Sequence, residues 1–215
     1  MLQFWYEVHR REMRKMKKRT KEQRIECSVF TTYRNFWDKI RLFPEDIKCI
    51  YQRVRYGYCY RDVWSIDSWF LRVMQNMIRD LRDTTHGYPG CFDGPEKENV
   101  KRWNDILTKM ADYFQDAHEE TCRRTNPYEE ESQKAWNEFE KKYGSFGSKL
   151  AEEEAKNHPE KKSIGVRLYT PGDVPEYKDV IDKYVEEERA LFDYRDACMK
   201  EGMKMFTEYF WNLWD

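Results

Sequence analysis

No stretch of this sequence approaches the roughly 18 consecutive apolar residues that a membrane-crossing helix requires, so no membrane span is expected. Met1 to Val8 is too short an apolar segment for a secretory leader, and a basic run follows it without a cleavage pattern. Glycine (9 residues) and proline (7 residues) are scarce in a chain of 215, which excludes a collagen-like or linker-dominated chain and leaves few natural helix breaks. The 6 cysteines, at positions 27, 49, 59, 91, 122 and 198, show no C-x-x-C spacing and read as reduced thiols of a cytoplasm. Also missing are G-x-S-x-G, H-E-x-x-H, a phosphate-cradling glycine loop and the dinucleotide fingerprint. Motif-based nucleophilic catalysis or nucleotide binding therefore has no support, and neither an internal repeat nor a sustained heptad stands out.

What is present is charge and aromatic bulk. Charged residues make up 37% and aromatic residues 16%, too much aromatic surface for a disordered chain and the mixture expected of long amphipathic helices. Apolar residues recur at helical spacing from Ile66 to Leu81, from Val100 to Ala117, and from Tyr177 to Phe210. A shorter helix carries Trp136, Phe139 and Tyr143. Helix starts are expected at Asp93-Gly94-Pro95-Glu96, Asn126-Pro127-Tyr128-Glu129 and Asp173-Val174-Pro175-Glu176, where a capping side chain precedes a first-turn proline and a glutamate. Pro44-Glu45-Asp46 reads as another first turn. Tyr143 to Ser148 reads as a hinge, and Ser163 to Thr170 is the only stretch with strand character. The expected architecture is all-α: a multi-helix bundle with at most one short extended segment. A basic helical arm (1–33) precedes a principal domain (34–215) that carries a charged, looser insertion over about 123–173.

The segment Tyr56 to Phe70 interleaves aromatic and polar residues. Its apolar members are expected to be core, because aromatic side chains bury large areas and need partners. Its polar thread is the candidate ligand site. Arg61, Asp62 and Asp67, with His86 in the His86-Gly87-Tyr88-Pro89-Gly90 turn, are expected to meet Glu188 and Arg195. Those last two lie on the apolar stripe of the final helix, where charge is costly unless paired. Paired, they are architecture; gathered around a pocket, they would hold a small anionic or planar ligand.

Three other chemistries are weighed. Between Arg10 and Arg24 stand nine Lys or Arg (Arg10, Arg11, Arg14, Lys15, Lys17, Lys18, Arg19, Lys21, Arg24) against two acids. Such an arm can neutralise phosphates, lie on an anionic membrane through Leu2, Trp5, His9, Met13 and Met16, or meet the acidic middle of the chain or another subunit. A zinc site can be drawn from His118 and Cys122, four apart on an expected helix, with His86 and Cys91, although the spacing matches no standard module and the plainer reading of His118 is a surface histidine. Asp112, Asp116, Glu119 and Glu120 on one helix, and Asp182, Glu186, Asp193 and Asp196 on another, have the residue type for Mg²⁺ but alternate with cations. No metal or cofactor is expected.

The order Arg55-x-Gly57-Tyr58, Arg61-Asp62-x-Trp64-Ser65-x-Asp67, His86-Gly87-Tyr88-Pro89, Trp103-Asn104-Asp105-Ile106-Leu107 and the ending Phe206 to Asp215 resembles a family of uncharacterised proteins of tailed bacteriophages and gut viral metagenomes. The resemblance covers about Arg34 to Met110 and the final helix, and the basic arm is not part of it. It implies a phage protein of the bacterial cytoplasm or the virion, and no catalytic residue to carry over. The expected function is non-enzymatic contact with a host protein, a defence protein among the candidates, or with phage assembly partners, including further copies of the chain. The alternatives are a nucleotide binder or metal-dependent nucleotide hydrolase in a polar inter-helix pocket, and non-specific nucleic-acid binding through the arm.

Overall fold

The computed structural model describes residues 36–157 and 168–214, and the basic arm and most of the Ser163–Thr170 segment lie outside them. The described residues form seven α-helices and no strand, as the all-α reading expected. They are α1 (Phe36–Tyr56), α2 (Tyr60–Val63), α3 (Ile66–Thr84), α4 (Glu96–Ala117), α5 (Glu129–Tyr143), α6 (Ser148–Asn157) and α7 (Pro175–Glu208). Two compact units result. One takes the described chain up to Arg123 and resumes at Arg195; the other is Arg124–Tyr194, so α7 begins in one and ends in the other.

The core of the first unit follows from the apolar periodicity of α3 and α4. Leu71 and Ile78 of α3 close against Trp103, Leu107, Met110, Ala111 and Phe114 of α4. The end of α7 completes it with rings. Phe70, Phe114 and Phe206 stand edge to face at 5.6, 5.9 and 6.1 Å, the geometry that ring quadrupoles favour. Phe92, Trp103 and Tyr209 form a second trio at 5.5 to 6.4 Å. Gly202 lets α7 approach this closely, since a Cβ there would sit 2.9 Å from the Phe114 ring.

The second unit is smaller. Ala135 and Phe139 of α5 and Tyr177 of α7 are buried, with Tyr143, Leu150, Tyr169 and Ile181 packed on them. The expected hinge is real: Gly144 (φ +78°) ends α5 and Gly147 (φ +66°) turns into α6. A side chain at Gly147 would meet Tyr169 Cβ at 2.6 Å, so both the backbone and the space favour glycine.

The three expected helix starts are found within three residues of their capping residues, but no side chain caps the first turn of α4 or α5. Asn126 accepts from the Tyr128 N–H and donates to Tyr184 O and Glu188 Oε1. Asp173 closes the turn before α7 by accepting from the Thr170 N–H at 2.8 Å.

Pro44 does not start a helix. It lies inside α1, where it leaves the Ile40 carbonyl without its usual donor. Its helix-starting signal was misleading because a long apolar stripe on both sides of it carries the helix through. The aromatic block also departs from expectation. Phe70 joins the core, but Tyr56, Tyr58, Val63, Trp64 and Ile66 are exposed, Trp64 to 88%. The chain between Gly57 and Ser65 is a short hook whose job is polar, and the core is supplied by α3 beyond it.

Candidate functional site

The polar thread of the aromatic block fastens α1 to α2. Asp46, fully buried on α1, accepts from Arg61 Nη1 at 2.7 Å. Arg53, also on α1, donates through Nε and Nη2 to both Asp62 oxygens, with Nε at 3.0 Å. Asp62 also accepts from the Cys59 N–H at 2.7 Å, which closes the first turn of α2. Burial works to raise the Asp62 carboxyl, but the Arg53 and Cys59 hydrogen bonds outweigh it and hold the carboxyl below its usual range. Cys49 and Cys59 are both buried in the same joint. Burial and a hydrogen bond with Cys59 push the Cys49 thiol up. Gln52 and Glu45 add bonds to Tyr60 at 3.0 and 3.2 Å.

The other expected site residues lie apart from this joint in the bonds they make: Asp67 with Ser65, and Glu188 with Asn126. Asp67 accepts from Ser65 Oγ at 2.8 Å at the start of α3; this bond and the Ser68 N–H hold its carboxyl down. His86 is exposed in the loop after α3. Glu188 is half-buried in the second unit and takes the Asn126 amide at 2.9 Å, which explains a charge on an apolar stripe. Arg195 is half-buried where α7 enters the first unit.

His118 is a buried histidine, 4% exposed, rather than a surface one. Helix α4 ends at Ala117, so His118 and Cys122 do not share a helical face, and Glu119 and Glu120 lie beyond the helix of Asp112 and Asp116. Among the described residues no three His, Cys, Asp or Glu gather to hold a metal ion. Asp112 and Asp116 instead bind Arg79 and Arg123. His118 Nε2 lies 2.8 Å from Ser68 Oγ, a distance that suggests a serine nucleophile and its base. The opposite nitrogen decides against that use. Nδ1 faces the Glu120 N–H at 3.2 Å, a donor, where a catalytic triad places a carboxylate acceptor. Arg72 Nε also faces Nε2, at 3.2 Å, and its guanidinium is paired with Glu120. The arrangement ties the end of α4 to α3.

Burial, reinforced by Arg72, pushes the His118 imidazole below its ordinary value. The unfolded chain therefore takes up a proton near pH ~6.5 that the folded chain resists. Stability from this site is complete above that pH and is lost as the pH falls towards the depressed folded value. Urea midpoints should drop between about pH 7.5 and 5.5, and His118→Gln should flatten that drop. An unchanged slope in the variant would exclude His118 as the source.

The feature that sequence reasoning missed is α1 itself. Phe36, Ile40, Phe43, Ile47, Ile50 and Val54 are spaced four and three residues apart along it, and all six are exposed, Val54 to 83%. Trp37, at 76% exposure, and Tyr51 widen the stripe. The hook takes a neighbouring face, that of Asp46, Cys49 and Arg53. Helix α1 thus turns Asp46, Cys49 and Arg53 towards the hook and leaves its apolar stripe exposed, where an ordinary surface helix buries the stripe. The spacing was present in the sequence, but the misread proline divided it. Farther along the first unit Phe210, Trp211 and Trp214 are also exposed. A groove of about 580 Å³ opens on α4, lined by Glu98, Lys101, Arg102, Asp105, Lys109 and Tyr209; none of the residues proposed from sequence lines it.

Comparison with protein families, curated proteins and solved structures finds no match in any of the three. No helix among the described residues is long and apolar enough to cross a membrane.

Proposed function

We propose that this chain is a non-enzymatic bacteriophage protein that works by contact with another protein, either a host protein such as a defence component or a partner in phage assembly. One observation carries the reading: α1 exposes a long apolar face while Asp46 and Arg53, on a neighbouring face, are bonded to Arg61 and Asp62 of α2. Contiguous exposed apolar surface on this scale marks interaction sites, and aromatic residues supply much of the binding energy in such contacts. The phage origin rests on the motif order from Arg55 to Asp215, and the host cytoplasm or the virion is the compartment that goes with it.

The test is a capture experiment from bacterial lysate, with and without infection, using tagged wild-type chain and the Ile40→Asp/Ile47→Asp variant. The expected result is at least one protein, a further copy of the chain included, that the wild type retains and the variant loses. Identical protein sets from the two, with the variant still folded, would exclude α1 as the working surface.

A further inference from the structure

We infer that the exposed face of α1 is a homotypic docking seam, on which α1 of a second copy packs. This rests on the reading that the chain acts by contact, and it names the partner. Four observations favour another α1. First, Phe36, Ile40, Phe43, Ile47, Ile50 and Val54 alternate four and three residues apart without a break. That is a seven-residue repeat, and a seven-residue apolar repeat is matched by another helix lying alongside it. β-branched Ile40, Ile47 and Val54 hold one of its two seam positions, the choice that suits knobs-into-holes packing between few helices. Trp37, Pro44 and Tyr51 occupy one flanking position, so that row is uncharged throughout.

Second, the seam itself and one row beside it are free of charge. The exposed cations Arg41, Lys48 and Arg55 stand seven residues apart in a row outside the seam. Two copies meeting through the seam therefore need not bring these three cations together. An uncharged flanking row also carries none of the charge code that selects a foreign helix.

Third, the area is sufficient. The exposed parts of these side chains amount to roughly 700 Å² per copy, so two copies can bury at most about 1,400 Å², against the ~1,200–2,000 Å² of a specific interface. Fourth, the other occupant within the chain fits poorly. Continuing Leu2, Trp5 and His9 of the basic arm in a seven-residue repeat puts Glu12 in the seam, a charge that a second α1 does not bring there. The polar joint to α2 fixes the orientation: with Asp46 and Arg53 held by Arg61 and Asp62, the seam remains on the outside.

The experiment is sedimentation velocity with the full-length chain over about 1 to 100 µM. The expected result is a species of twice the 26.6 kDa chain mass. In Ile40→Asp/Ile47→Asp its dissociation constant should rise at least ~100-fold, because two buried side chains are lost and two charges are brought into the seam. Trp64→Ser, exposed but outside α1, should leave the dimer unchanged, and far-UV circular dichroism with a thermal melt confirms that each variant is folded. A wild-type monomer throughout overturns the inference, as does a dimer that survives the double substitution. A monomer that dimerises only when residues 1–33 are deleted overturns it in favour of the arm as occupant. If the wild type is monomeric but the variant still loses a lysate protein, a foreign partner holds the seam and the contact reading stands. If neither association nor capture responds, both readings fall.

Discussion

Phe114→Ala should destabilise the first unit by about 3–5 kcal/mol, the range for removing a fully buried ring that its neighbours cannot replace. Phe114 is completely buried. Its ring meets Phe70 at 5.6 Å and Phe206 at 6.1 Å, so it joins α3, α4 and α7 at one point. Truncation removes dispersion contacts on three sides at once. Urea unfolding followed by far-UV circular dichroism should show the midpoint falling, and a loss under ~1 kcal/mol would mean that the ring trio does not hold the unit together. A companion substitution sharpens the point. Glycine to alanine inside a helix ordinarily stabilises by about 0.5–1 kcal/mol. At Gly202 the new Cβ would stand 2.9 and 3.0 Å from two ring atoms of Phe114, and 3.3 Å from Tyr113 Cβ. Gly202→Ala is therefore expected to destabilise by about 1–3 kcal/mol. Combined with Phe114→Leu it should cost less than the sum of the two, because the residues share one space.

Arg61→Met should cost about 2–3 kcal/mol, the upper range for hydrogen bonds to charged groups. Asp46 is fully buried, and Arg61, 28% exposed, reaches it from the solvent side. Removing the cation leaves the carboxylate in a site that disfavours its charge. The partial exposure of Arg61 keeps the loss below that of a fully buried pair. Methionine retains much of the apolar stem, so the change reports mainly on charge. Asp46→Leu/Arg61→Met should recover most of the loss, since two apolar groups then fill the joint. Hydrogen exchange should speed up in α2 and in the adjoining turn of α1 in the single variant, and not in the core of α3 and α4. If instead the whole unit loosens evenly, the Arg61–Asp46 bond is part of the core and not a local clamp.

Much of the helical architecture was legible because periodicity is a local property. The stripes of α3, α4, α5 and α7 could be read directly, and the turn at Gly144 declared itself through its glycines. Cap chemistry was less informative, since Asn126 and Asp173 can satisfy any nearby donor. In the structure Asn126 took the Tyr128 N–H just before α5, and Asp173 the Thr170 N–H in the turn before α7. Pro44 misled for the opposite reason: a signal that usually starts a helix was overruled by the apolar stripe around it.

The candidate site divided along the same line. Arg61, Asp62, Asp67 and Glu188 were recognisable as charges in need of partners, but charge does not announce which partner. Those partners came from Asp46, Arg53, Ser65 and Asn126, each brought near by a turn or by helix packing. His118 shows the point most sharply. Nothing local distinguishes it from a surface histidine, and its burial follows from the end of α4 meeting α3.

By itself, then, the sequence determined the all-α class and the stripes along its helices, because these depend on residues three and four apart. It also carried the seven-residue pattern of α1. Only the tertiary structure decided which stripes are buried. The physical reason is that an apolar stripe states a need for cover without naming what supplies it. In α3 and α4 the cover is a neighbouring helix. In α1 the ion pairs hold a different face against the hook, and the stripe stays in solvent.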